Sequence, residues 1–507
     1  MAKPIMIVGT MTNSGKSWLV TGLCRVFHQD GKSVAPFKAQ NLASNSYTTS
    51  DGAEIGRAQA IQAEAAEIDP QGIMNPVLLK PGGNGGKQVI INGKTVGTMT
   101  DTQYYLYEDK NLQPIVESAY ERLASSYDIV VLEGAGSPAE VNPNEHDLVN
   151  MGMAKLAKAP VLLLADISRG GVFATICGTL MLMSEEERQM IKGIVINKFR
   201  GDVESLKPGL RMIEEKTGIP VLGVIPMANI DIEDEDSLSQ RLQSTDVEKV
   251  IDMAVIALPH ISNYTDFNVF EMIPGVSLRY VRKESELGNP DMIIIPGTKN
   301  TLGDLKWMRG NGLEAAVLKK AQAGTVIFGV CGGYQIMGEK LSDPYGVEEG
   351  GVIQGMGLLH TMTMFAERSR TFRVDGCFGD VKGVFHQLKG KHFYGYEIHS
   401  GITDYPPETS LTLMKPTYES GEIVPEGSQH VGNGMMVYGT NIHGIFDCQG
   451  VADTIVKALL RQKGMKPADM QSVNYTRYKQ VQYDKLADCL RQCLDIERIY
   501  TILEEGI

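Results

Sequence analysis

The sequence predicts an α/β protein made of two α/β domains, and two stretches carry that prediction. In each, an apolar run of strand character meets a glycine turn and continues into a helical pattern. The first runs from P-I-M-I-V at residues 4–8 through G-T-M-T-N-S-G-K-S (Gly9–Ser17) into Trp18, Leu19, Leu23 and Val26. The second is T-V-I-F-G-V-C-G-G-Y-Q-I-M-G, Thr325–Gly338. Units of strand, turn and helix assemble into parallel sheets flanked by helices, and 507 residues suffice for two or three such cores.

Composition narrows the class. The chain is 43% hydrophobic and 21% charged, ordinary for a globular protein. A net charge of −13 argues against a nucleic-acid surface and gives no attraction to anionic membranes. No apolar run approaches a membrane span, and the first apolar segment opens directly into Thr10, Thr12, Asn13 and Lys16, so no signal peptide is expected. Seven cysteines without regular spacing suggest reduced thiols in a cytoplasm. Neither a CxxC pair nor a His-x-x-x-His spacing points to structural zinc.

In the first half, the strand, the glycine loop ending in G-K-S and the helix form a phosphate cradle. Gly9, Thr10, Asn13, Ser14 and Gly15 are expected to wrap the phosphates of ATP, Lys16 to reach the β- and γ-oxygens, and Ser17 to hold Mg²⁺. Five residues rather than four separate Gly9 from Gly15, a variant that resembles the loop of the dethiobiotin synthetase group. Further strands are expected at Ile129–Leu132, Val161–Ala165, Ile194–Ile196 and Val221–Ile225. Ligands of open α/β sheets bind at the carboxyl ends of strands, where Glu133, Asp166 and Asn197 stand. Glu133 is the candidate Mg²⁺ ligand, with helix capping as the competing reading. Asn197 has the donor and acceptor needed to read an adenine edge, with a turn role as the alternative. The polar segments Lys38–Ser46, Glu54–Ala60 and Met74–Pro81 suggest a surface for a large, oxygen-rich substrate, against the alternative of a solvated loop.

The second half begins after an acidic stretch, residues 231–249, that reads as a linker. Strands follow at Val255–Leu258, Ser277–Val281 and Met292–Ile295, and then the one that ends at Cys331. A buried strand that stops at a cysteine, turns on glycines and enters a helix is a nucleophile elbow. Gly297, in P-G-T-K after Met292–Ile295, and Gly332 are placed to offer amides to a developing oxyanion. The thiol needs a base. His443, in Y-G-T-N-I-H-G-I-F-D, is the candidate, and His399 in Tyr396–Gly401 is its rival. Helices are expected at Ala452–Gln462 and Tyr483–Glu505.

Motifs in both halves resemble those of the cobyric acid synthases, the glutamine-dependent amidases of cobalamin biosynthesis. They are Lys38–Ser46, Glu54–Ala60, Met74–Pro81, Glu133–Asn142, Asp166–Ala174, Ile196–Asp202, Leu258–Phe267 and Tyr396–Gly401. The resemblance implies a dethiobiotin-synthetase-like domain (1–235), a linker (236–250) and a flavodoxin-like class I glutamine amidotransferase domain with C-terminal helices (251–507). It also implies ATP, magnesium, glutamine and a corrinoid as reactants, with amidation of the b, d, e and g carboxylates of adenosylcobyrinic acid a,c-diamide. No tightly bound prosthetic group, nucleic acid or membrane partner is expected, and a homo-oligomer is compatible with this reading. Lys38, Gln40, Asn41, Arg57, Tyr396 and Glu397 are the substrate-contact candidates. Many class I amidotransferases orient the imidazole with a glutamate two residues on; that position is Ile445 here, which leaves Glu397 as a candidate for the part. Two other readings stay open: a cobyrinic acid a,c-diamide synthase or related amidoligase, and a partition-type switch ATPase. Cys331 with His443 speaks against the switch, which needs no glutaminase.

Overall fold

The computed structural model describes residues 2–81, 86–140, 147–233, 250–416, 422–466 and 474–507. The first half folds around a six-stranded parallel sheet. Its strands are β1 (Lys3–Gly9), β2 (Val34–Phe37), β3 (Ile129–Glu133), β4 (Val161–Asp166), β5 (Ile191–Phe199) and β6 (Val221–Pro226), in the order β6-β5-β4-β1-β3-β2. The strands are buried apolar runs, as sheets covered on both faces require. Strand β2 escapes a reading by pattern because it is short and holds Pro36; it lies at the sheet edge, where a missing N–H is tolerated. Helix α1 (Lys16–Gln29) leaves the loop after β1, and α2 (Arg57–Ala65) packs beside it.

The second half repeats the plan. Strands β7 (Ile251–Ile256), β8 (Val276–Val281), β9 (Met292–Ile295), β10 (Val326–Val330), β11 (Ser428–Gly432) and β12 (Met435–Thr440) run in the order β8-β7-β9-β10-β12-β11, with only the β11–β12 pairing antiparallel. Helix α3 (Gly332–Ile336) follows β10. A long antiparallel hairpin, Met362–Phe378 with His392–Asp404, stands over this sheet and carries the Tyr396–Gly401 segment.

Three expectations change. Segments Lys38–Ser46 and Met74–Pro81 are not solvated loop: Gln40–Leu42 pairs with Val77–Pro81 in a small four-stranded sheet. The C-terminal helix divides into α4 (Tyr475–Cys493) and α5 (Ile496–Glu505), because Asp495 caps the second helix by accepting from the Arg498 amide. These helices were expected within the amidotransferase domain, yet they pack largely on the first half. Leu486, Leu490, Leu494, Ile499, Ile502 and Leu503 share one core with Ile5, Ile7, Leu19, Leu23 and Leu162. The Asp495 amide donates to Leu222 O of edge strand β6 at 2.8 Å. The burial of this apolar face on β1 and α1, rather than its place in the chain, decides where it docks. The expected linker, 236–250, lies outside the described residues apart from Val250. Among the described residues no helix is long and apolar enough to cross a membrane.

This docking generates a test. With Trp307→Phe in the background, Trp18 is the sole tryptophan and reports on the first half. Leu490→Ala is expected to lower the stability read by Trp18 fluorescence in denaturant by about 2–5 kcal/mol. An unchanged midpoint would show that α4 adds nothing to that core.

Candidate active sites

The thiol centre is built at the end of β10. Cys331 sits at φ 51° and ψ −115°, a region that non-glycine residues occupy only when the surroundings enforce it. The enforcement comes from close backbone packing. A Cβ on Gly333 would lie 2.0 Å from Ile295 O, and one on Gly332 3.0 Å from the Thr298 amide nitrogen. Only glycines let the turn close against the loop after β9. The Cys331 amide is anchored to Thr440 O of β12 at 2.8 Å, and its Sγ lies 3.6 Å from Ile398 O.

His443 follows β12, close enough to Cys331 for each to shift the other's charge. Its Nδ1 lies 2.7 Å from Asp266 Oδ2, while Asp266 Oδ1 accepts from the Gly444 amide at 3.1 Å. Asp266, on a buried turn at Tyr264–Phe267, therefore orients the imidazole. Sequence reasoning missed it, although it falls inside the quoted segment Leu258–Phe267, and gave the part to Glu397. Glu397 instead takes His399: Nε2 lies 2.7 Å from Glu397 Oε2, and Nδ1 lies 2.6 Å from Gly401 O. Both ring nitrogens face acceptors, and Glu397 raises the His399 pKa against burial, so neither nitrogen is turned to Cys331 with a lone pair to give. His399 cannot serve as the base for Cys331. Tyr396 stacks on His443 with ring centroids 5.4 Å apart and exchanges two backbone hydrogen bonds with it.

The charges follow from this arrangement. Burial alone would push the Cys331 thiol up, but His443, then His399 and Lys299, hold it below the ordinary thiol range. Burial disfavours the His443 imidazolium, yet Asp266 and Cys331 raise it to about 10. One group is lowered and its partner raised, the two directions that favour a thiolate–imidazolium pair.

The phosphate site is built at the ends of β1 and β3. Lys16 Nζ donates to Gly136 O at 2.9 Å and Met11 O at 3.2 Å. Gly15 adopts φ 98°, and a Cβ there would lie 2.2 Å from Asn197 Nδ2. Thr10 Oγ1 and Ser14 Oγ are buried without partners among the described residues, as expected of hydroxyls that face a phosphate. Glu133 accepts from Ser17 Oγ and Lys38 Nζ, both at 2.8 Å, and from Gln62 Nε2 at 2.5 Å. Burial would raise Glu133, but Lys38, Gln62 and Ser17 hold it low and ionised. Ser17 and Glu133 are hard oxygen donors side by side, of the type that would hold Mg²⁺.

The other expected residues divide. Lys38 joins the phosphate site. Asn41 donates to Gln59 Oε1 of α2 at 3.1 Å, and Gln40 accepts from the Tyr104 hydroxyl at 2.5 Å. Asn197, expected at an adenine edge, has both functions of its amide engaged: Nδ2 donates to Ser14 O and Oδ1 accepts from the Lys198 amide, both at 2.8 Å. It braces the phosphate loop. Lys198, unremarked in the sequence, bridges Asn13 O and Asp166 Oδ2 at 2.5 and 2.9 Å. Arg57 is no open substrate contact; it is buried, pairs with Glu233 at 2.6 Å and lies over the Tyr47 ring.

The thiol centre makes a direct prediction. Alkylation of Cys331 by iodoacetamide, followed by peptide mass, is expected to reach half its maximal rate below the ordinary thiol range. Loss of the Asp266 charge weakens the imidazolium that holds the thiolate, so Asp266→Asn is expected to raise that midpoint by about one pH unit or more. An unmoved midpoint would remove Asp266 from the charge arrangement.

Comparison with known proteins agrees with both halves. Residues 5–238 match the CobQ/CobB/MinD/ParA nucleotide binding domain, and residues 252–451 match the CobB/CobQ-like glutamine amidotransferase domain. The chain is similar over its full length to cobyric acid synthase of Ruminiclostridium cellulolyticum, with 54% identity over 509 residues covering 100% of this chain and 98% of that one. It is 52% identical to cobyric acid synthase of Lachnoclostridium phytofermentans, with 100% of each chain covered. For that of Photorhabdus laumondii the identity is 47%, covering 99% of this chain and 98% of the relative. With both domains in one chain and end-to-end similarity to these relatives, the protein belongs to the cobyric acid synthase family.

Proposed function

We propose that the chain uses ATP and glutamine to amidate the b, d, e and g carboxylates of adenosylcobyrinic acid a,c-diamide, giving adenosylcobyric acid. One observation carries this reading: a Cys331, His443 and Asp266 centre and a phosphate loop with a Ser17–Glu133–Lys38 group stand in the same chain. The first is equipped to release ammonia from an amide, the second to activate a carboxylate.

A carboxylate is a poor electrophile because its leaving group would be oxide. Transfer of the γ-phosphoryl of Mg²⁺-ATP gives an acyl phosphate whose leaving group is phosphate. Gly9–Gly15 cradles the phosphates, Lys16 neutralises charge on the transferred group, and Ser17 with Glu133 would hold the Mg²⁺ that polarises the phosphate oxygens. Lys38, beside Glu133, is placed to draw the substrate carboxylate toward the γ-phosphate, with Gln40 and Asn41 on the adjoining strand. Asn197 acts by holding Ser14 and Gly15 in the binding shape.

In the other half, the Cys331 thiolate attacks the side-chain amide carbon of glutamine, and the Gly297 and Gly332 amides receive the oxyanion. His443 gives its proton to the departing nitrogen, which leaves as ammonia, and a γ-glutamyl thioester remains. His443 then takes a proton from water, which hydrolyses the thioester to glutamate. Ammonia displaces phosphate from the acyl phosphate. We assign the synthetase work to residues 1–235 with α4 and α5 packed on them, and the glutaminase to the chain from 251 up to the start of α4; a cytoplasmic setting fits reduced Cys331.

The test is turnover with adenosylcobyrinic acid a,c-diamide, ATP and glutamine, with products followed by mass. Four successive losses of about one mass unit are expected, each matched by one ADP and one glutamate, as acyl-phosphate chemistry requires. Glutaminase activity with no change in corrinoid mass would discard the substrate assignment. Cys331→Ala is expected to lose glutamine-supported amidation by about 10³-fold or more while retaining amidation with ammonium chloride. Lys16→Ala should lose both.

A further inference from the structure

Asp304 is a fully buried carboxylate with no part in the chemistry at Cys331. It lies in the first turn of the helix Thr301–Gly310, which follows the Gly297 loop, and is 0% exposed. A carboxylate at such a position ordinarily serves the helix, as a cap or as a charge at its positive end. This helix is capped by other groups: Asn300 Oδ1 accepts from the Gly303 amide at 2.9 Å, and Glu348 Oε2 accepts from the Leu302 amide at 3.0 Å. Asp304 is turned instead toward two loops of the thiol centre. Its Oδ2 accepts from the Thr298 hydroxyl at 2.5 Å and from the His260 amide at 3.2 Å, and its Oδ1 lies 2.7 Å from His260 Nδ1. Burial raises the carboxyl above its ordinary value, against the pull of Thr298 and His260.

The two loops that Asp304 joins also pair with each other. The Ser262 amide donates to Gly297 O at 2.9 Å, and the Lys299 amide donates to His260 O at 3.0 Å. One loop carries Gly297; the other runs on to Asp266. Thr298 passes the hold on to the elbow. Its Oγ1 is fixed between Asp304 and the Asn300 amide, from which it accepts at 3.1 Å. With the hydroxyl fixed at a chiral Cβ, the direction of the methyl carbon is fixed as well. That methyl lies on the cysteine turn: a Cβ on Gly332 would stand 2.7 Å from Thr298 Cγ2. On the other side, a Cβ on Gly297 would stand 3.2 Å from His443 Cε1. The loop is thus set between the elbow and the base, and an amide serves an oxyanion only from a narrow range of positions.

We propose that Asp304 is a positioning residue for glutamine hydrolysis: by holding Thr298 and His260 it sets the Gly297 loop against the Cys331 elbow, where the Gly297 amide meets the oxyanion. The inference rests on the glutaminase reading of Cys331 and His443 above. Asp304 acts at one remove, through the Thr298 hydroxyl.

Substitution at Thr298 in the full chain separates the hydrogen bond from the packing. Thr298→Val keeps a methyl on Gly332 and loses the donor to Asp304; Thr298→Ser keeps the donor and loses the methyl. Asp304→Asn replaces one of the two accepting oxygens. For each variant, glutaminase kcat and KM are measured together with the rate of Cys331 alkylation by iodoacetamide. Alkylation forms no oxyanion, so it reports on the thiol without the Gly297 amide. Thr298→Val and Asp304→Asn are expected to lower kcat by about tenfold or more, as a misplaced oxyanion donor does. KM and the alkylation rate are expected to stay within about twofold of wild type, because binding and the thiol are left in place. Thr298→Ser, the conservative variant, is expected to stay within about threefold of the wild-type kcat. A loss in Thr298→Ser that equals or exceeds that in Thr298→Val assigns the effect to packing and overturns the proposal. Wild-type kcat in Thr298→Val or Asp304→Asn overturns it too, as does alkylation that falls in step with kcat. Absence of glutamine hydrolysis in the unmodified protein overturns the glutaminase reading itself, so the two failures are distinguishable.

Discussion

The glutaminase centre depends on the carboxylate of Asp266. It lies within hydrogen-bonding distance of both His443 and the backbone amide beside it, so the imidazole is fixed in orientation and in charge at once. Without a buried anion at that point, burial would leave both the thiol and the imidazole neutral. The strained elbow at Cys331 would then present an unreactive group. The geometry of β10, the two glycines and the Gly297 loop has chemical value because that carboxylate favours the charged His443, which in turn lowers the Cys331 thiol.

The phosphate site uses the same strategy with opposite sign. Glu133 is buried and would be neutral alone; Lys38, Ser17 and Gln62 make it an anion. In both halves a buried charge is set by partners delivered from separate segments, at the carboxyl ends of parallel strands. Such sites are expensive to half-build, because removing one partner strands a charge in a low-dielectric interior. This accounts for the dense polar packing between the halves, where Arg57, Glu233, Lys479, Glu64 and the tyrosines of α4 form a connected buried group.

The chain also ties its halves together by its course. After completing the second sheet it returns through α4 to the first, where Arg491 pairs with Asp30, and α5 adds Tyr500 to the same carboxylate. Helix α2 and the hairpin before it lie where both halves meet. Motifs that read as a substrate surface therefore serve partly as the wall between two reactions.

Both α/β halves, the strand–glycine-loop–helix unit after β1 and the strand–cysteine–glycine turn at Cys331 were legible in the residue order. These features are local: an apolar run, a glycine turn and a helical period lie within a dozen or so residues, where backbone sterics decide the outcome. The tertiary structure alone decided which carboxylate serves His443, since Asp266 lies 177 residues away and nothing in its own segment distinguishes it from a turn aspartate. The same holds for Arg57, whose guanidinium looked free for a substrate until Glu233 came beside it, and for α4 and α5, whose apolar faces fit the first core better than the second. Periodicity tells which face of an element is buried; it carries no information about which distant partner meets it, because pairing energy depends on three-dimensional proximity rather than on chain order.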